Sequence, residues 1–327
     1  MATIDVIIPN YNYAHFLPEC IQRVLSQRID GIRILVVDNH STDDSLAVAK
    51  QLAEQDDRIE VVANSENLGP HASFNKGIDL TSADYLMILC VDDLLQEGAL
   101  RRAIEALECS PDAVLAIGPH EAAQPTGRGG EDHGATGWRL TSGSSFIEGC
   151  CQSYGRDVAA HTILVRTSVQ KQVGYYSPSL PFMDDLEMVL RLARRGAVVE
   201  LDEPLAVQRL QLDCISTALW DNRICDLQER EAVFGGFFAR DGADLGRAAA
   251  QNRLVRRRLA EAAYWLATAQ FCRGEFASGV QLFRYGFRLS PSSLAFFPVG
   301  HPLRTHGGLR RIAERVAAPM RRGASPG

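Results

Sequence analysis

Two pairs of adjacent aspartates set the chemistry this chain could do. Asp92-Asp93 directly follows the apolar run Tyr85–Val91, and Asp184-Asp185 directly precedes Leu186, Val189, Leu190 and Ala193. Carboxylates at a strand end can hold a hard divalent cation such as Mg²⁺ or Mn²⁺, or form a solvated acidic turn. The second pair opens a helix, because the apolar residues after it recur at i, i+3, i+4 and i+7. Neighbours on a helix point roughly 100° apart, so one of the two at most can aim fully into a cleft. The alternative is an acidic helix head held by the backbone dipole. Asp38 closes a further apolar run, where a carboxylate can accept the imide N–H of uracil or act as a turn or capping residue. Tyr11 follows Pro9-Asn10 and can stack on a base or simply pack. His161 stands alone, with an acceptor-facing and a structural reading both open.

The elements that must position these groups are visible as alternating strand and helix. Ile4–Ile8, Ile32–Val37, Ile59–Val62 and Tyr85–Val91 are short apolar or β-branched runs. Leu17, Ile21, Val24 and Leu25 have helical spacing. Ser41–Asp44 has the form of a capping box ahead of Leu46, Ala49 and Ala53, and Pro70 suits the first turn of a helix reaching about Leu80. Strands without alternation are buried on both faces, as in a parallel sheet with helices above and below. In such sheets ligands sit at the carboxyl ends of the strands, where this chain places Pro9–Asn12, Asp38–Ser41, Asn64 to Gly69 and Asp92-Asp93. Residues 120–137 are polar and glycine-rich and read as a loop, either a lid or an ordinary surface connection. From about Ser216 the pattern is helical, with one hairpin turning at Arg273-Gly274.

Composition bounds the rest. The 327 residues are 46% hydrophobic and 23% charged, enough for a full core. The net charge of −6 argues against nucleic acid as a partner. Eight cysteines form no CxxC pair, against structural zinc and in favour of a reducing compartment. The first residues lack the pattern of a signal peptide, and no apolar run reaches the roughly 18 residues of a membrane span. A cytoplasmic location is expected. No GxGxxG follows the first strand, which disfavours a dinucleotide-binding dehydrogenase.

IIPNYN, VVDNHSTDDS, NLGPHASFNKGI, a strand ending in DD, and VGYYSPSLPFMDDLEMVLRLARRG follow in this order. Together, over about residues 3–216, they resemble the family 2 glycosyltransferases of the GT-A fold. The resemblance implies an α/β domain with a Rossmann-like, mostly parallel sheet over residues 1–216, then a helical C-terminal region, 217–327. It implies an inverting enzyme that moves a sugar from a nucleotide diphosphate sugar, UDP-linked, to a hydroxyl of a surface glycan or lipid-linked precursor. Pro9, Tyr11, Asn12, Asp38, Asn67, Gly69, Asn75, Asp92 and Arg209 become the expected nucleotide site. Asp92 and Asp93 become the expected metal site, and Asp185, with Asp184 beside it, the general base that takes the acceptor's proton.

Two positions depart from the family pattern. Cys90 stands where the first aspartate of Asp-x-Asp is expected, and Gln211 where the family often has a metal-binding histidine. Divalent-metal binding is therefore expected to be weaker than in members with the full motif, or Arg209 is expected to carry part of the phosphate charge. The same departures motivate a rival, a degenerate member that binds nucleotide or partners without transfer; intact Asp92 and Asp185 argue against it. A nucleotidyltransferase would carry a basic glycine-rich loop after the first strand, and PNYNYAHF is not one. Arg304, Arg310, Arg311, Arg315, Arg321 and Arg322, interleaved with Leu309, Ile312 and Val316, form a basic tail. It reads either as a peripheral contact with the inner face of a membrane or as a solvated segment.

Overall fold

The computed structural model describes residues 2–119, 121–122, 137–155, 158–209 and 223–294. Gln211, most of the polar loop, and the arginine-bearing tail lie outside the described residues. The chain divides into two compact units, 1–147 with 157–213 and 148–156 with 214–327.

The first unit opens with β1 (Ile4–Asn10), α1 (Leu17–Leu25), β2 (Ile32–Asp38), α2 (Ser45–Gln55), β3 (Ile59–Ala63), α3 (Pro70–Leu80) and β4 (Tyr85–Ile88). It continues with β5 (Leu94–Leu95), α4 (Ala99–Glu108), β6 (Ala113–Ile117), β7 (Glu121–Ala122), β8 (Trp138–Thr141) and α5 (Gly143–Gln152). After α5, which runs on into the second unit, come β9 (Ile163–Arg166), α6 (Thr167–Val173), α7 (Asp184–Ala193), β10 (Ala197–Leu201) and β11 (Ala206–Gln208). Eight strands form one sheet in the order β3-β2-β1-β4-β9-β6-β10-β8. β1 pairs in parallel with both β2 and β4, so the strand order reverses direction about β1. That reversal opens a crevice at the carboxyl ends of β1 and β4, where open α/β sheets bind ligands. Both faces of β1 and β2 are covered, with Ile4, Val6, Ile7, Ile8, Ile34, Leu35, Val36 and Val37 fully buried. Each such side chain contributes roughly 1.5–3 kcal/mol. Gly77 lets α3 press onto β1, since a Cβ there would lie 2.3 Å from Ile7 Cγ2.

Three features differ from the sequence reading. Ser41 does not cap α2: its hydroxyl is drawn to Asp38, and Asp43 Oδ1 accepts the Ser45 amide instead. β4 stops at Ile88, and the chain then turns through Val91 and Asp92, closed by Asp93 N donating to Cys90 O. β9, antiparallel to both β4 and β6, sits in the middle of a sheet expected from parallel units. A second, small sheet pairs β11 antiparallel with β5, Ala206 opposite Leu95 and Val207 opposite Leu94. Continued, this register carries Arg209 toward Asp92.

In the second unit α8 (Arg223–Ala239), α9 (Ala248–Cys272) and α10 (Phe276–Leu289) pack together. Gly274, at φ +78, provides the left-handed turn between α9 and α10. Tyr285 donates to Leu227 O at 2.8 Å, and Glu231 takes both Arg256 and Arg288, which ties α8 to the hairpin.

Candidate active site

The ends of β1 and β2 are tied by Asp38, which is 1% exposed. Its Oδ1 accepts from Asn10 Nδ2 at 2.9 Å and Ser41 Oγ at 2.6 Å, and its Oδ2 from Ser41 N at 3.0 Å. A buried carboxylate requires such donors. Asn12, at φ +59, extends the tie: its Oδ1 accepts from Thr42 N at 2.7 Å and its amide donates to Ser41 Oγ. Pro9 is half-buried at the same strand end, and the Tyr11 ring is open to solvent. Asn39, within the Asp38–Ser41 strand end, organises the next one. Its Nδ2 donates to Asn67 Oδ1 (2.7 Å) and Gly69 O (3.2 Å), and its Oδ1 accepts from Asn64 Nδ2 and Leu68 N. Lys76 closes this network on Asn64 Oδ1 at 2.8 Å. Asn75 faces elsewhere: it spends both ends of its amide on the backbone of Tyr176, at 3.0 and 2.8 Å.

Beyond β4, the pair Asp92-Asp93 splits in two. Asp93 is 3% exposed, and its Oδ2 lies 2.7 Å from His161 Nδ1. Asp92 is half-buried, and among the described residues no side chain hydrogen-bonds to it. Burial and the charge of Asp93 push its pKa up to about 6, against the pull of His161 and Arg209. Arg209 itself reaches Glu19 at 2.6 Å and lies over the Phe16 ring. Ligand atoms of Cys90, Asp92 and Asp93 lie within 4.8 Å of one another. These donors fit a hard cation through Asp92, a half-buried carboxylate, with Asp93 shared with His161. Cys90 adds nothing to that fit, since burial holds it as a neutral thiol.

The second acidic pair occupies the first turn of α7. Asp184 Oδ2 lies 3.0 Å from His71 Nε2, on the first turn of α3. Asp185 Oδ2 accepts from Ala160 N at 3.0 Å, while its Oδ1 is buried with no hydrogen-bond partner among the described residues. A helix N-terminus alone would lower a carboxyl pKa. Burial and the neighbouring Asp184 instead push Asp185 well above the ordinary carboxylate range, and the Ala160 amide and Tyr176 hydroxyl only partly offset this. The two pairs converge: after burial, the thiol of Cys90 is pushed up by Asp93, Asp92, Asp185 and Asp184 together. The site therefore joins four carboxylates, two histidines and Arg209 at the crevice predicted from strand order.

Residues 5–171 match the family described as Glycosyl transferase family 2. The chain belongs to this family. It is a glycosyltransferase with a GT-A fold, and the matched region holds Asp38 and Asp92 but ends before Asp184. Among its relatives, glycosyltransferase GlyG of Streptococcus pneumoniae is 30% identical over 115 residues, 35% of this chain and 38% of that protein. The GalNAc(5)-diNAcBac-PP-undecaprenol beta-1,3-glucosyltransferase of Campylobacter jejuni is 34% identical over 101 residues, 31% and 33% of the two chains. The matches thus span about a third of these curated relatives. Two solved structures share the fold at 15% identity. S. aureus TarS 1–349 in complex with UDP has a TM-score of 0.62, over 96% of this chain and 89% of that one. The mannosyltransferase PcManGT from Pyrobaculum calidifontis, in complex with GDP-Man and Mn²⁺, has 0.58 over 97% and 80%.

Proposed function

We propose that this glycosyltransferase moves a sugar from a UDP-linked donor to an acceptor hydroxyl by a single displacement with inversion, and that Asp185 is its general base. The observation that carries the reading is the Asp185 carboxylate: buried, raised in pKa, and with Oδ1 left without a partner. A base works best with a pKa near the operating pH. The acceptor oxygen attacks the anomeric carbon, its proton passes to Asp185, and the bond from that carbon to the diphosphate breaks, leaving with both electrons. Arg209 offers charge to the diphosphate. Asp92 and Asp93 are the residues that would hold a divalent cation, which when bound supplies positive charge against the leaving nucleoside diphosphate. Tyr11, Pro9, Asn12, Asp38, Asn67 and Gly69 form the nucleotide side, and Asn75 contributes by fixing Tyr176 beside the base.

UDP is favoured because TarS binds it on the same fold; PcManGT with GDP-Man makes guanosine the alternative. A lipid-linked acceptor follows the Campylobacter relative's name. Contact with the inner face of a membrane fits the basic tail and the exposed stripe Phe276, Val280, Phe283 and Phe287 on α10, a helix with no acidic residue. No helix among the described residues is long and apolar enough to cross a membrane. The transferase domain is assigned to residues 1–216 and the helical region to 217–327. The test is release of nucleoside diphosphate across a panel of UDP- and GDP-sugars, with UDP binding followed by calorimetry. Turnover of UDP-sugars supports the reading. UDP binding with no turnover of any donor leaves the degenerate, non-catalytic alternative.

A further inference from the structure

His71 lies on α3, 113 positions before Asp184, and is 9% exposed. Its Nε2 is 3.0 Å from Asp184 Oδ2, and this pairing raises the imidazole's pKa against the cost of burial. The imidazole also donates to the Leu180 carbonyl. With one nitrogen on a carboxylate and a donor bond to a carbonyl, the ring meets acceptors in two directions, which suits the imidazolium form. That form stands in the first turn of α3, where the helix dipole disfavours a cation, and Asp184 supplies the compensation.

The other groups around this pair are accounted for. Arg191, on the same helix as Asp184, is committed to Glu187 at 2.7 Å and to the carbonyls of Val173 and Tyr175. The Ala160 amide and Tyr176 hydroxyl serve Asp185, Asp93 adds negative charge to it, and the Phe74 ring beside His71 is apolar. His71 is thus the basic side chain placed on Asp184 among the described residues.

We infer that His71 is a positioning residue for the reaction: by pairing with Asp184 it occupies that carboxylate and balances its charge, and so leaves Asp185 as the proton acceptor of the pair. The inference rests on Asp185 being the base. Two buried neighbouring carboxylates otherwise share one proton and titrate as a unit. Without the imidazolium, the field of Asp184 on Asp185 is uncompensated, and the fully ionised state is reached at higher pH.

The experiment follows kcat/KM against pH, as nucleoside diphosphate release from the best donor of the UDP- and GDP-sugar panel. It compares wild type with His71→Gln, His71→Lys, Asp184→Asn, the double variant His71→Gln/Asp184→Asn, and Asp185→Asn. His71→Gln moves the acidic limb up by about one pH unit, on the order of tenfold in rate at a pH on that limb. Asp184→Asn moves it down, the double variant returns it close to wild type, and His71→Lys restores it because the charge is restored. UDP affinity by calorimetry stays level throughout. A His71→Gln limb that coincides with wild type overturns the inference, as does a shift that His71→Lys fails to reverse, or inactivity of both variants with UDP binding intact. Wild-type turnover in Asp185→Asn instead removes the base itself, whatever His71 does, so the two failures are told apart.

Discussion

Asp92-Asp93 follows a strand and Asp184-Asp185 opens a helix, yet both pairs divide in the same way. In each, one carboxylate is held by a histidine from a distant element: Asp93 by His161, Asp184 by His71. In each, the other is not paired with a histidine and its pKa rises, Asp92 to about 6 and Asp185 well above the ordinary carboxylate range. A third aspartate shows what a purely structural carboxylate looks like. Asp5, at the opposite end of β1, is also buried, which raises its pKa, but the Arg33 fork at 2.8 and 2.9 Å and the amides of Ser82 and Ala83 outweigh burial and bring it below its ordinary value. The lesson is that burial alone does not mark a reactive carboxylate; burial without a partner does.

The comparison breaks first at Asp185. Asp185→Asn keeps the volume and loses the proton acceptor, so kcat falls by roughly 10²–10⁴-fold with UDP affinity little changed. Asp184→Asn loses far less, and a reversal of the two would place the base one residue earlier. Asp92 comes second. Asp92→Asn lowers kcat on the order of 10²-fold, the scale of one lost electrostatic contact in a transition state, and removes the response to Mn²⁺. With the ionised Asp92 as the proposed ligand, Mn²⁺ affinity, measured by calorimetry, is expected to hold above pH 6 and to decline as pH falls through about 6. Unchanged Mn²⁺ affinity across that range would detach the metal from Asp92. Third, Asp38→Ala removes the tie between Asn10 and Ser41 and weakens UDP binding about tenfold; equal affinity would exclude Asp38 from nucleotide recognition. The smallest effect is at the structural aspartate. Arg33→Met leaves Asp5 short of its cation and costs about 2 kcal/mol of stability in urea titrations, with kcat unchanged. Because the folded pKa of Asp5 is depressed, its contribution is present at neutral pH, above the unfolded pKa, and is lost as pH falls through the folded one.

The fold was legible where burial on both faces writes itself as an apolar run: β1, β2, β3 and the helices between them stand within a few residues of their sequence reading. It was not legible where a tertiary partner overrides a local signal. Ser41 has every local feature of a helix cap, but a buried carboxylate three residues earlier competes for its hydroxyl and wins. β9, only Ile163–Arg166, is too short to announce its direction, which is set by pairing with β4 and β6. The acidic pairs were visible as pairs, yet nothing in their spacing says which member is held. His71 lies in a helix turn with no neighbouring acid, and His161 reads as a lone histidine; only folding brings each to its aspartate. Asn39 was in view as part of a strand end, but its four side-chain hydrogen bonds depend on Asn64, Asn67, Leu68 and Gly69 arriving from the next loop.

The central claim is that the acceptor oxygen displaces the nucleoside diphosphate in one step while Asp185 takes its proton. Proton NMR of the first-formed product, recorded before any anomeric equilibration, reads this from the anomeric coupling constant. A product with the anomeric configuration opposite to that of the donor sugar is the predicted result; a product that retains the donor's configuration contradicts it.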